Sequence, residues 1–133
     1  VIVAGKGHRL FAWAYNPDFG PAIPSSLFYI VKIKNPDILL GEYLANFLNT
    51  EKMNHKLTTL GAGTSIPSVQ KSELAGLNVP IPPIAVQQRI VELSRLMDED
   101  VELASVLLEK KKKMKMSVLN SVINQTIMTD KTG

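Results

Sequence analysis

The chain has no cysteine. That excludes a disulfide framework, a thiolate nucleophile and cysteine-based zinc sites, and it fits a reducing compartment. Histidine is almost as scarce: His8 and His55 are the only two, far apart and without a carboxylate at ligand spacing. No metal site is expected from that supply. There is no Gly-x-Ser-x-Gly elbow to support nucleophilic catalysis. Of the acidic group Asp98, Glu99, Asp100 and Glu102, only Asp98 and Glu102 share a helix face, which reads as a solvated surface. No run of about 18 uncharged apolar residues is present, and the start is not basic-then-apolar. These absences lead us to expect a soluble, cytoplasmic, non-catalytic protein with no cofactor and no membrane contact.

What is present is a chain of 133 residues, 45% hydrophobic, enough for one domain with a real core. Its net charge of +3 is small, but the charges are segregated. Up to Pro83 there are seven basic and five acidic residues; from Ile84 to Glu109, two basic and six acidic; from Lys110 onward, six basic and one acidic. A block of one sign followed by a block of the other permits an anionic partner, or a solvated surface.

The first third is β in character. "VIVAG", "RLFAWAY" and "SSLFYIVKIK" are short apolar runs separated by Gly5, Gly7, Asn16, Pro17, Gly20, Pro21 and Pro24. Alternation in "LFYIVKIK" sets Phe28, Ile30 and Lys32 on one face and Tyr29, Val31 and Ile33 on the other, predicting a strand covered on both sides. The abrupt opening "VIVAGKG" reads as the middle of a strand, so a longer parent that lost its N-terminal part is expected. Helical spacing begins with Tyr43, Leu44, Phe47 and Leu48 and continues through Met53, Leu57 and Leu60 to stops at Gly61 and Gly63. A turn of helix is expected at Lys71 to Leu77. Pro80, Pro82 and Pro83 then stiffen the chain, and no proline follows.

From Ile84 to about Ile127 nothing breaks a helix. Ile90, Leu93, Met97, Val101, Ala104 and Leu108 recur in steps of three and four, the spacing of an apolar seam that wants a partner helix. The seam falters at "EKKKKMK", where four consecutive lysines cover most of the helix circumference, and resumes with Met114, Val118 and Val122. A polar interruption, with a bend or break at Lys110 to Lys115, is the expectation.

Two stretches carry groups suited to an anion. "AGKGHR" fails as a phosphate-binding P-loop because no Ser/Thr follows the lysine and a strand, not a helix, comes next. It remains a turn with Lys6, His8 and Arg9, able to meet phosphates or base edges, or to stand solvated. The lysine run is either a solvated surface or a docking point for an acidic protein or a phosphate backbone.

The segment from Gly61 to Ile123 resembles one half of the specificity (S) subunit of Type I restriction-modification enzymes. The resemblance rests on Gly63 to Pro67 as a Gly-Ser/Thr-x-Ile-Pro-like stretch, Lys71 to Leu74 as a Lys-x-x-Leu turn, and "PIPPIAVQQRI" from Pro80 to Ile90, followed by a long helix. Upstream, "VIVAGKGHRLFAWAY", "GPAIPSSLFYIVKI" and "GEYLANFLNTEKM" are similar to the later half of such a recognition domain. Where the pattern has Glu before Gln, this chain has Val86.

The resemblance implies an α+β architecture: a small β-rich target-recognition domain with packed helices over residues 1–83, then a long coiled-coil spacer and dimerisation helix over 84–128, with 129–133 a disordered tail. It implies sequence-specific recognition of double-stranded DNA by a non-catalytic subunit that works with methyltransferase (M) and restriction (R) subunits. Lys6, His8, Arg9, Thr64, Ser65, Ser68, Gln70 and Lys71 are the candidate DNA contacts. Ile90, Leu93, Met97, Val101, Ala104 and Leu108 are the candidate pairing seam, taken by a second copy in a homodimer or by a second S repeat. The competing reading is a protein-interaction scaffold that assembles a complex through its helix without binding DNA.

Overall fold

Val3 sits at the centre of a three-stranded antiparallel sheet, opposite Ala12 on one side and Tyr29 on the other. The structure is a computed structural model, and it describes residues 1–6, 11–60 and 68–130. Strands β1 (Ile2–Ala4), β2 (Phe11–Trp13) and β3 (Phe28–Ile30) lie in the order β2-β1-β3. The β1 to β3 pairing runs one residue further: the Val1 ammonium donates to the Val31 carbonyl, and the Val31 amide donates to the Val1 carbonyl, both at 2.8 Å. Partial burial pushes the pKa of that ammonium below its ordinary value.

Alternation along each strand puts Val3, Ala12 and Tyr29 on the face that the helices cover. Helix α1 (Gly41–Leu48) supplies Leu44, Ala45 and Leu48, and α2 (Glu51–Leu60) supplies Leu57, to a core shared with Val3, Ala12 and Val69. Tyr29, Val31 and Ile33 pack against it from β3 and its continuation. The opposite face is covered only in part: Ile2 is buried there, but the β3 end is open. Ile30 is 67% exposed and Lys32 is exposed, so the expectation that this strand is covered on both sides is corrected. The core helices lie on one side of a sheet only three strands wide, and on the other side residues 15–24 line a groove with Ile2 and Ile30.

Strand β2 is an edge, and an edge leaves backbone groups unpaired. The Asn49 side chain, just after α1, meets that need at Ala12. The Ala12 amide donates to Asn49 Oδ1 at 2.8 Å, and Asn49 Nδ2 donates to the Ala12 carbonyl at 2.7 Å. One side-chain amide thus imitates a neighbouring strand and ties α1 to the sheet.

Helix α3 (Lys71–Ala75) is short, and α4 (Ile84–Asp130) runs for 47 residues, about 70 Å at 1.5 Å per residue. It does not break at Lys110 to Lys115. The expected bend or break there followed from the lysines that interrupt the apolar stripe. The backbone ladder depends on amide and carbonyl groups alone, lysine is a good helix former, and solvated charges tolerate one another at this spacing. The chain divides into two units, Val1–Ser94 and Arg95–Gly133. The stops expected at Gly61 and Gly63 lie outside the described residues.

Candidate functional site

Gly5 and Lys6 continue β1 beyond Ala4 and meet the chain again 62 residues later. Lys6 pairs antiparallel with Ser68, and the Val69 amide donates to the Gly5 carbonyl at 2.9 Å. On the other side the Gly5 amide donates to Leu27 at 3.0 Å, and Tyr29 Oη donates to the Val69 carbonyl at 2.8 Å. The Tyr29 ring lies directly over Gly5, so that a Cβ on residue 5 would overlap it. Glycine is required here by close approach.

This junction draws two of the candidate DNA-contacting loops to one end of the sheet. Lys6 is exposed and Ser68 half-buried; Gln70 and Lys71 follow within three residues, both exposed. The Gln70 amide donates to Glu73 Oε2 at 2.7 Å, fixing the start of α3 so that Lys71 opens it. His8, Arg9, Thr64 and Ser65 lie outside the described residues. Two exposed lysines and a pair of polar side chains on a hydrogen-bonded frame can contact phosphates and base edges. Among the described residues no group of His, Asp and Glu could hold a metal ion, and no helix is long and apolar enough to cross a membrane. An open groove of about 820 Å³ beside β3, lined by Ile2, Tyr15, Pro17, Pro21 and Ile30 among others, is mostly apolar and brings no reactive groups together.

The second feature is the joint where α4 begins. Gln87 is fully buried and makes three hydrogen bonds: Oε1 accepts from the Leu40 amide at 3.0 Å, and Nε2 donates to the Ile38 and Pro82 carbonyls at 2.8 Å each. Tyr43 Oη donates to the Pro80 carbonyl at 2.8 Å, and the Val86 amide to Pro83 at 2.8 Å. The prolines therefore contribute rigid φ angles and three carbonyls that are all used. Ile84, Gln87, Val91 and Ser94, spaced as one helix face, turn toward the domain, and Ser94 Oγ donates to Asn46 Oδ1 at 3.3 Å.

That face is not the proposed seam. Ile90, Leu93, Met97, Val101, Ala104 and Leu108 are all exposed, with Met97 at 61% and Val101 at 69%. Sequence reasoning missed Gly5, Tyr29, Asn49 and Gln87 as positioning groups. For Gln87 a signal existed: it is a polar residue in the same stripe as Ile84 and Val91.

The small sheet with the Lys6 to Ser68 bridge and the proline-anchored start of α4 are the two features that the described residues bring together. The family model of the Type I restriction modification DNA specificity domain matches residues 12–110 of the 133. The chain belongs to that family. No solved structure matches it.

Proposed function

We propose that this chain is a non-catalytic reader of one part of a split DNA target in a Type I restriction-modification complex, and that its long helix sets the distance to the reader of the other part. Lys6, Ser68, Gln70 and Lys71 contact the duplex, with His8, Arg9, Thr64 and Ser65 from the same two loops. The lysines meet phosphates and hold register, and the shorter polar side chains reach base edges. The helix pairs along Ile90, Leu93, Met97, Val101, Ala104 and Leu108 and offers a docking surface to methyltransferase subunits, on which the restriction subunit assembles.

The observation that carries this reading is the Lys6 to Ser68 bridge, which joins the two loops chosen for DNA contact although 62 residues separate them. The Gln87 clamp supports the spacing role, because a ruler is only as accurate as its joint is stiff.

The test is to sequence DNA selected by the chain together with its methyltransferase partner, for the native helix and for one lengthened by four residues beyond Ser94. Four residues add about 6 Å, close to two base pairs at roughly 3.4 Å each. A split target whose gap grows by about two base pairs is the expected result. An unchanged gap removes the spacing role, and selection of no sequence removes the reading itself.

A further inference from the structure

The sheet face turned away from the helices carries an aromatic cluster that the duplex reading leaves unused. Phe11 and Trp13 flank the buried Ala12 in β2, and Phe28 alternates with Tyr29 in β3, so all three rings stand on this side. Ala4, in the central strand, lies opposite Phe11 on one side and Phe28 on the other. Strands two apart are separated by roughly 9–10 Å, twice the spacing of neighbours. The Trp13 and Phe28 ring centroids are nevertheless only 5.5 Å apart, edge to face, and those of Phe11 and Trp13 are 5.6 Å apart. Rings from the two outer strands thus lean together over the central one, where a residue as small as alanine leaves them room. Phe11 remains 53% exposed, and Trp13 and Phe28 are half-buried.

The charges on this face have one sign. A Cβ on Gly5 would meet the Tyr29 ring on the helix side, which sets Lys6 on the aromatic side, and Lys32 follows Phe28 and Ile30 by alternation. Both lysines are exposed. Among the described residues of the three strands and their continuations there is no carboxylate. Because Gly5 is level with Leu27, Lys6 and Lys32 are separated by about six residues of strand, roughly 20 Å, with the rings between them. Past Ile30 the surface runs on into the open groove lined by Tyr15 and Lys32.

We infer that this face binds single-stranded nucleic acid, with unstacked bases lying against Phe11, Trp13 and Phe28 and phosphates held by Lys6 and Lys32. The inference goes beyond the duplex reading, because in a duplex each base covers the face of the next and leaves nothing for these rings to stack on. Two features have to be met at once, flat apolar rings and flanking positive charge. A cation suits the rings but is repelled by the lysines. An uncharged apolar peptide suits the rings and gains nothing from the lysines. A strand with free bases presents a π-face to each ring and a phosphate to each lysine, and since every base has a π-face the site is tolerant of sequence.

Trp13 is the chain's single tryptophan, so its fluorescence reports on this face directly. Oligothymidine titrated into the whole chain should quench that emission, and Lys32→Ala should flatten the dependence of log K on log salt by about 0.7. Phe11→Leu keeps an apolar side chain at an exposed position and should weaken binding about tenfold, whereas Phe11→Tyr should keep it within about threefold. Neither change at Phe11 should alter the duplex target selected with the methyltransferase partner, which separates failure here from failure of the duplex reading. A sugar-phosphate oligomer without bases, or a fully paired duplex, that quenches Trp13 as strongly as oligothymidine overturns the inference. So does a Phe11→Leu chain that binds as well as Phe11→Tyr. Absence of quenching by oligothymidine overturns it too, and quenching by an uncharged apolar peptide instead would assign the face to a protein.

Discussion

The buried side-chain amide of Gln87 grips the Leu40 amide at 3.0 Å, tying the second turn of the long helix to the residue just before α1. Because the same side chain also serves Ile38 and Pro82, it ties the 38–40 segment and the proline-rich entry to the start of the helix. Gln87→Leu keeps the volume and removes every polar atom, stranding one amide and two carbonyls. The expected loss is at least about 2 kcal/mol, read as a lower midpoint in urea with an unchanged slope.

Gln87→Glu supplies an acceptor to Leu40 but, when ionised, aims negative charge at two carbonyls. Burial raises the folded-state pKa of the introduced carboxyl above its unfolded value of about 4.3. The protonated form therefore favours folding below about pH 4.3, and that contribution is lost as pH rises through the raised folded-state pKa. The stability deficit relative to wild type should grow with pH and then level off. A deficit that shrinks as pH rises contradicts this account.

Gly5→Ala forces a methyl group into the Tyr29 ring. A destabilisation of about 1–3 kcal/mol is expected, as for other overpacked sites. In combination with Tyr29→Ala, which clears the space, the cost should be clearly less than the sum of the single costs. Thermal melts of the four proteins in the cycle measure this.

Asn49→Asp retains the acceptor for the Ala12 amide and replaces the donor with an anionic oxygen facing the Ala12 carbonyl, 2.7 Å away in the native pair. The expected cost is about 1–3 kcal/mol. Hydrogen exchange should rise first at Ala12 and its neighbours in β2, because the edge strand loses half its bracket.

Lys6→Ala and Lys71→Ala should weaken DNA binding similarly for target and random sequences. Each phosphate contact removed should also flatten the dependence of log K on log salt by about 0.9. Ser68→Ala or Gln70→Ala should instead narrow the difference between target and random DNA. Binding titrations across a salt series separate the two kinds of effect.

The long helix was legible from its start because pattern and punctuation agree: three prolines restrict the entry, and no proline or glycine interrupts residues 84–130. Helices α1 and α2 were equally plain from Tyr43, Leu44, Leu48 and Leu57. The face that α4 turns toward the domain was harder to see, since Gln87 is polar and only the tertiary fold supplies its three partners. The error at β3 has a similar origin. Alternation of apolar residues reports two greasy faces, but whether both are covered depends on how many layers the chain builds. The pairing of Lys6 with Ser68 is a contact between distant segments, and local pattern contains no trace of it.

Every side-chain hydrogen bond described between α4 and the earlier elements comes from Gln87 or Ser94. These anchors all lie within residues 1–94. Under the proposed spacing role, small in-frame duplications beyond that point would alter reach without touching the proposed contact residues, so that spacing and half-site could change separately.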